Sequence, residues 1–325
     1  MDGTNNTNTP ITRVGLIGLG AVGAFFAPAL EAALGHGQFF CIAGGERKER
    51  LERDGVELNG ERCFYAIEEP GVAEYELGMS KQQPADLILI GVKQTGLVQA
   101  LEDISAYVGP ETIIMPLLNG IDSEEWVAAR YGWDKVLYAY MRVSIVMKDG
   151  KADFDPSWGK VHFGEEENEV LSPKVERVKA LFEQAGINYR IEKNMILGMW
   201  YKFMCNIGEN MTCALLGVPF GAFQVSEHAN YFRYTAMREV IAIANAKGID
   251  LSEKDIEEQE LTIQRLPYVA KPSTLQDLER GRLTELDIFA GKVIKMGEAL
   301  NIPTPINQVY YHGIRVLEEK MLGKI

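Results

Sequence analysis

Arg13-Val-Gly-Leu-Ile17-Gly18-Leu19-Gly20-Ala21-Val22-Gly23-Ala-Phe25 decides how the rest of the chain is read. The apolar run to Ile17 has the length of a buried parallel strand. It passes directly into Gly18-x-Gly20-x-x-Gly23 and then into an apolar helix beginning near Ala21. Strand, glycines and helix in that order form the context of a dinucleotide fingerprint. Gly18 permits the tight turn, Gly20 lets the backbone approach a pyrophosphate, and Gly23 brings the helix against the strand. Phosphate charge then sits at the positive end of the helix dipole. A glycine-rich turn without a ligand is the competing account, and the ordered context weighs against it.

The 325 residues suffice for two domains with sizeable cores, and 46% hydrophobic with 24% charged residues is ordinary for a globular protein. A formal charge of -13 argues against nucleic acid or an anionic membrane as the main partner, because both demand a basic surface. Residues 1–10 are polar, lack the basic start and apolar core of a signal peptide, and are expected to be a flexible tail. Cys41, Cys63, Cys205 and Cys213 have neither metal-ligand spacing nor a dense disulfide pattern. They predict buried thiols in a cytoplasmic protein with no metal site.

Phe39–Ala43 reads as a second strand, followed by Gly44-Gly45-Glu46-Arg47-Lys48 where an adenosine ribose would lie. Ala85–Lys93 and Thr112–Asn119 are further apolar runs that end in a polar residue. Ligands in open α/β sheets bind beyond strand C-termini, which places Lys93 and Asn119 near the cofactor. Val136–Met147 and Lys160–Gly164 read as later strands, and Ser172–Ala185 as a helix closing the domain. Residues 11–193 are therefore expected to form an α/β dinucleotide-binding domain of the Rossmann type, and 194–325 a predominantly α-helical one.

The most apolar stretch of the second half, Met195–Val218, is interrupted by Lys202, Asn206, Glu209 and Asn210, which excludes a membrane span. Positions 202, 206 and 210 are four apart and share one helix face, drifting by about 40° per step. A polar stripe on an apolar helix must meet something polar, whether a ligand, neighbouring helices or solvent reached by the lysine. Further on, Lys271-Pro-Ser273-Thr-Leu-Gln276 has a helix-start signature with Ser273 as N-cap. Gly281–Gly291 is expected to open another helix, with Glu285 as a charge favoured by its dipole.

Together these segments resemble the ketopantoate reductase family. The resemblance runs from Val14 to about Leu317. It rests on the Gly18/Gly20/Gly23 fingerprint, Gly91-Val-Lys93, Leu118-Asn119-Gly120, Trp200-Tyr-Lys202 with Asn206 and Asn210, and Lys271-Pro-Ser273 through Thr284-Glu285. It implies a Rossmann-type domain joined to a helical domain like the C-terminal one of 6-phosphogluconate dehydrogenase, a possible homodimer, and NADPH-dependent reduction of 2-dehydropantoate to pantoate, a step toward coenzyme A. Catalysis falls to Lys202, as donor of the proton to the developing alkoxide, and to Glu285. Asn119, Lys202, Asn206, Asn210, Ser273 and Glu285 are the implied substrate contacts. Gly18, Leu19, Gly20, Ala21, Val22, Gly23, Arg47, Lys93 and Asn119 are the implied cofactor contacts. Since the fingerprint and Lys202 fall in different domains, the active site is expected in a cleft that closes on its ligands.

Two positions depart from the family pattern. Where many relatives carry an arginine for the 2′-phosphate of NADPH, this chain has Gly44, with Arg47 and Lys48 just beyond. Arg47 is expected to take that phosphate with Lys48 adding a less directional attraction, while Glu46 on a ribose 2′-hydroxyl is the NADH alternative. Phe220 stands where some relatives have a further substrate asparagine. Reduction of another branched 2-keto acid is the enzymatic alternative, and a nonenzymatic NADP(H) sensor the other.

Overall fold

The computed structural model describes residues 9–71, 83–143 and 145–325, and the chain divides into two compact units, Met1–Met195 and Ile196–Ile325. Of the expected tail, residues 1–8 lie outside the described residues, while Thr9 and Pro10 are exposed.

The first unit runs β1 (Val14–Ile17), α1 (Ala21–Leu34), β2 (Phe39–Ile42), α2 (Gly45–Asp54), β3 (Val56–Leu58), β4 (Glu61–Cys63) and β5 (Ala66–Glu68). It continues with β6 (Ala85–Ile90), α3 (Leu97–Asp103), β7 (Val108–Pro116), α4 (Ser123–Tyr131), β8 (Tyr138–Arg142), β9 (Lys151–Ala152), β10 (Lys160–Gly164), α5 (Pro173–Ala185) and β11 (Tyr189–Arg190). Five strands form a parallel sheet in the order β5-β2-β1-β6-β7. Alternation of side chains gives this sheet two apolar faces. Val14, Leu16, Phe39, Cys41, Leu87 and Leu89 pack with Phe26 and Leu30 of α1 and Phe182 of α5. On the other face, Ile17, Phe40, Ile42, Ile88 and Ile90 meet Leu97 and Leu101 of α3 and Val127 of α4. The result is a doubly wound, Rossmann-like sheet. Two small sheets, β11-β10-β8 and β4-β3-β9, complete the unit; β3, β4, β9 and β11, with two or three residues each, are too short to leave a periodic signature.

The second unit is helical. It comprises α6 (Met195–Cys205), a π-helical turn at Asn206–Asn210, α7 (Met211–Leu216), α8 (Ala222–Val225), α9 (Glu227–Ala246), α10 (Glu253–Ile263), α11 (Ser273–Glu279), α12 (Ala290–Leu300) and α13 (Pro305–Met321). The single helix expected over 195–218 is thus two helices joined by a π turn, and Gly217 ends it in the left-handed conformation at φ 67°. No helix among the described residues is long and apolar enough to cross a membrane.

Candidate active site

At the C-terminal edge of the parallel sheet, Ile17 of β1 pairs with Ile90 of β6, and Ile90 pairs with Pro116 of β7. The segments that follow these strands therefore emerge side by side. They carry the glycine motif, Lys93 and Asn119, the last two each three residues beyond a strand end. The strand order changes direction between β1 and β6, where open α/β sheets leave a crevice. Lys93 is exposed and Asn119 half-buried.

Each glycine of the motif has a separate physical reason. Gly18 has φ 100°, and a Cβ there would lie 2.6 Å from the Gly91 carbonyl carbon. A Cβ on Gly23 would meet the Gly18 oxygen at 2.5 Å, so helix and strand approach only because it is absent. Around Gly20 nothing comes within 4 Å. Packing does not require a glycine there; an incoming ligand would. Helix α1 also begins with no side-chain cap and no acidic residue in its first turn, which leaves the amides of Ala21, Val22 and Gly23 without a competing carboxylate.

Beside this loop lies a cavity of about 300 Å³ lined by Gly18, Leu19, Ala43, Gly44, Arg47 and Val92. Gly44-Gly45-Glu46 proves to be the start of α2, with Arg47 in its first turn. The Arg47 guanidinium donates to the Leu19 carbonyl at 2.6 Å, tying α2 to the glycine loop. Lys48 does not join it: its ammonium pairs with Glu69 at 2.7 Å. Gln99 and Asp103 of α3 also line the cavity and bond to each other at 2.8 Å. Sequence reasoning passed over them, although Leu97, Ala100 and Leu101 give that segment a helical period. Cys41 opens on the same cavity, and burial pushes its thiol up to about 12, leaving it inert at neutral pH. All four cysteines are free thiols.

In the second unit the polar stripe is real but not α-helical throughout. Asn206 and Asn210 bracket the π turn, and Asn210 Nδ2 donates to Asn206 Oδ1 at 3.4 Å. A four-residue α step overshoots a full turn, whereas the wider π turn makes a four-residue step fall short of one. The drift from Lys202 to Asn206 is therefore offset between Asn206 and Asn210. π turns inside helices are rare and concentrate at functional sites. Glu209, which the four-residue spacing leaves off this face, is 5% exposed in the core. Lys202 and Asn206 are half-buried at the surface of a stretch whose neighbours Phe203, Met204 and Ile207 are core residues.

Helix α11, which begins at Ser273, packs against α7 and the π turn. Ser273 is not the N-cap: Pro272 holds that position, no side chain caps the helix, and Gln276 Nε2 donates to the Lys271 carbonyl at 2.7 Å. Standing one residue inside the helix, the serine hydroxyl is past the position from which it would cap. Glu285 also departs from expectation. Helix α12 starts only at Ala290, and Glu285 lies half-buried in the preceding turn. The Thr284 amide and hydroxyl both donate to Glu318 Oε1, at 2.8 and 2.7 Å, and hold that backbone to α13 instead of starting a helix. Phe220 packs against Cys213, Phe223, Ile263 and Leu275, so its ring serves the core.

A bare glycine at the mouth of an uncapped helix, above a parallel doubly wound sheet, is the arrangement of a dinucleotide-binding domain. Comparison with known proteins narrows the class. Residues 14–168 match the family model for ketopantoate reductase PanE/ApbA, and residues 194–318 match that for its C-terminal domain. The chain belongs to the ketopantoate reductase family. A 2-dehydropantoate 2-reductase of Streptococcus pyogenes is 29% identical over 231 residues, covering 69% of this chain and 73% of the relative. Among solved structures, the ternary complex of D-mandelate dehydrogenase with NADH and anilino(oxo)acetate has a TM-score of 0.83 at 21% identity, covering 95% of this chain and 99% of that one. A dimeric ketopantoate reductase from Staphylococcus aureus has a TM-score of 0.75 at 18% identity, with coverage of 95% and 99%.

Proposed function

We propose that this oxidoreductase reduces 2-dehydropantoate to pantoate with NADPH, in a cytoplasmic setting and as a homodimer, the staphylococcal relative being dimeric. The observation that carries the reading is the face formed by Lys202, Asn206 and Asn210 on an otherwise apolar, π-interrupted helix. Gly18 through Gly23, Arg47, Lys93 and Asn119 hold the cofactor in this reading, and the open space at Gly20 fits it. The bound cofactor supplies a hydride to the C2 ketone. Charge then grows on the ketone oxygen. The Lys202 ammonium stabilises that charge and gives up a proton, which solvent replaces. Asn119, Asn206, Asn210 and Ser273 bind the substrate's polar groups through hydrogen bonds, and Glu285 orients substrate or lysine.

Arg47, already anchored beside the glycine loop, is the residue to fork onto a 2′-phosphate, and Glu46 in the exposed first turn of α2 is left to complement the helix dipole. Arg47→Ala should weaken NADPH binding by roughly 1.5–3 kcal/mol and leave NADH nearly unchanged, as read by cofactor fluorescence titration. A second reading, NADH-dependent reduction of a bulkier 2-keto acid, is favoured by Gly44 and by the likeness to the mandelate dehydrogenase complex. Following cofactor absorbance with 2-dehydropantoate and a panel of branched and aryl 2-keto acids, with each cofactor, separates the two. Preference for an aryl substrate with NADH rejects the first reading. No turnover of any keto acid rejects both.

A further inference from the structure

Beneath the π turn lies a buried polar cluster that none of the expected site residues explains. Arg233 of α9 is fully buried, and its guanidinium reaches Glu209 at 3.1 Å and Glu260 at 2.6 Å. From α10, Gln259 Nε2 donates to both Glu209 oxygens, at 2.9 and 3.1 Å. The other end of that amide, Gln259 Oε1, accepts from the hydroxyl of Tyr201, the residue before Lys202, at 3.1 Å. Glu209 itself sits inside the π turn.

Replacing a buried ion pair by apolar side chains of the same volume is often neutral or stabilising, so net stability is a weak reason for such a cluster. Geometry is a better one. Gly208 is pressed onto α9, where a Cβ would lie 2.6 Å from Met237 Cγ, so the turn cannot slide inward. Thr212 Oγ1 bonds the Gly208 carbonyl at 2.5 Å and Tyr310 at 2.6 Å, satisfying polar groups at the same turn. With Gly208 and Glu209 fixed toward the core, the rotation of the turn is set, and with it the directions of Asn206 and Asn210.

We propose that Glu209, clamped by Arg233 and Gln259, is a positioning residue that holds the π turn and thereby keeps Asn206 and Asn210 on the face of Lys202. The inference rests on the reading in which those three residues meet the keto acid. It adds that the orientation of the substrate amides is set from behind, by an acid that never touches substrate.

The test compares the wild type with Glu209→Gln, with Gln259→Glu, and with the double swap, which restores a donor facing an acceptor between the two positions. Hydrogen exchange over residues 203–212 should be about tenfold faster in each single variant and return to the wild-type rate in the swap. The KM for the keto acid should rise about tenfold in the singles, with NADPH affinity unchanged, and recover in the swap. Wild-type exchange and KM in both singles overturn the proposal, as does a swap no better than the singles. Should the singles fail to fold, the swap decides: a folded protein with wild-type KM supports the clamp, and a misfolded one overturns it. If the wild type reduces no 2-keto acid, the functional reading falls, and exchange alone decides whether the cluster holds the turn.

Discussion

The glycine loop of the first unit and the π turn of the second are both interruptions at the edge of a regular element, yet they are built by opposite means. Around the loop, backbone does the work: Gly18 and Gly23 remove Cβ atoms that would collide with it, and Gly20 leaves it open. At the π turn, side chains do the work, with Glu209, Arg233 and Gln259 bonded to one another, and with Asn206, half-buried, bonded to the buried Asn210. A loop made by missing side chains is encoded within six residues. A turn held by side chains from three helices draws its code from residues 201 to 260. The first kind can be read from a short motif and the second only from the fold.

The comparison breaks most visibly at Lys202. If the polar stripe performs the chemistry, Lys202→Ala should lower turnover by 10²-fold or more while cofactor affinity stays within about twofold, because the lysine acts on the alkoxide and not on the dinucleotide. Stopped-flow reduction and cofactor fluorescence measure the two separately. Turnover within a few-fold of wild type would make the stripe a packing feature.

The two glycines sharpen it next. Gly23→Ala forces a Cβ onto the Gly18 oxygen and should cost about 2–3 kcal/mol of stability by denaturant unfolding. Gly20→Ala places its Cβ in open space, should change stability by less than about 1 kcal/mol, and should instead weaken cofactor binding about tenfold. Equal losses of stability in the two variants would show that Gly20 serves packing after all.

A third contrast lies within the first unit, between helix starts. Helix α1 opens without a carboxylate, whereas α4 begins with Glu124 buried at 1% exposure, taking a bond from Ser123 Oγ at 2.9 Å. Burial pushes the Glu124 carboxyl up to about 7. A raised carboxyl pKa means that the folded chain holds a proton the unfolded chain has lost. Its stabilising effect is present below about 4.5 and fades as the pH rises through 7. Glu124→Gln stays neutral throughout, so it should match the wild type at pH 5 and exceed it by about 2 kcal/mol at pH 8. A difference that does not change with pH would remove Glu124 as the titrating group.

How much was legible follows the same division. The parallel sheet could be read because β1, β2, β6 and β7 are apolar runs bounded by turn residues, and Lys160–Gly164 was located to the residue. Arg47 could be placed near the motif, but not its bond to the Leu19 carbonyl, which depends on α2 starting at Gly45. The stripe at 202, 206 and 210 followed from periodicity. The π turn that aligns it did not, because a change from i+4 to i+5 bonding leaves composition untouched. Glu285 misled because its segment is held by Glu318, thirty-three residues away in sequence.

The smallest predicted effect concerns Ser273, and it separates capping from binding. As an N-cap the serine would contribute about 1 kcal/mol, but Pro272 holds the cap position and the serine hydroxyl makes no capping bond. Ser273→Ala should therefore shift stability by less than about 0.5 kcal/mol, since alanine is the best helix former and no cap is lost. If α11 presents Ser273 to the substrate beside the π turn against which it packs, the same variant should raise the keto acid KM a few-fold with kcat nearly unchanged, the mark of lost ground-state binding. Both readouts come from one purified variant, by denaturant titration and by initial rates. An unchanged KM with intact stability would take Ser273 out of the site, leaving Asn206 and Asn210 as the polar groups the second unit offers.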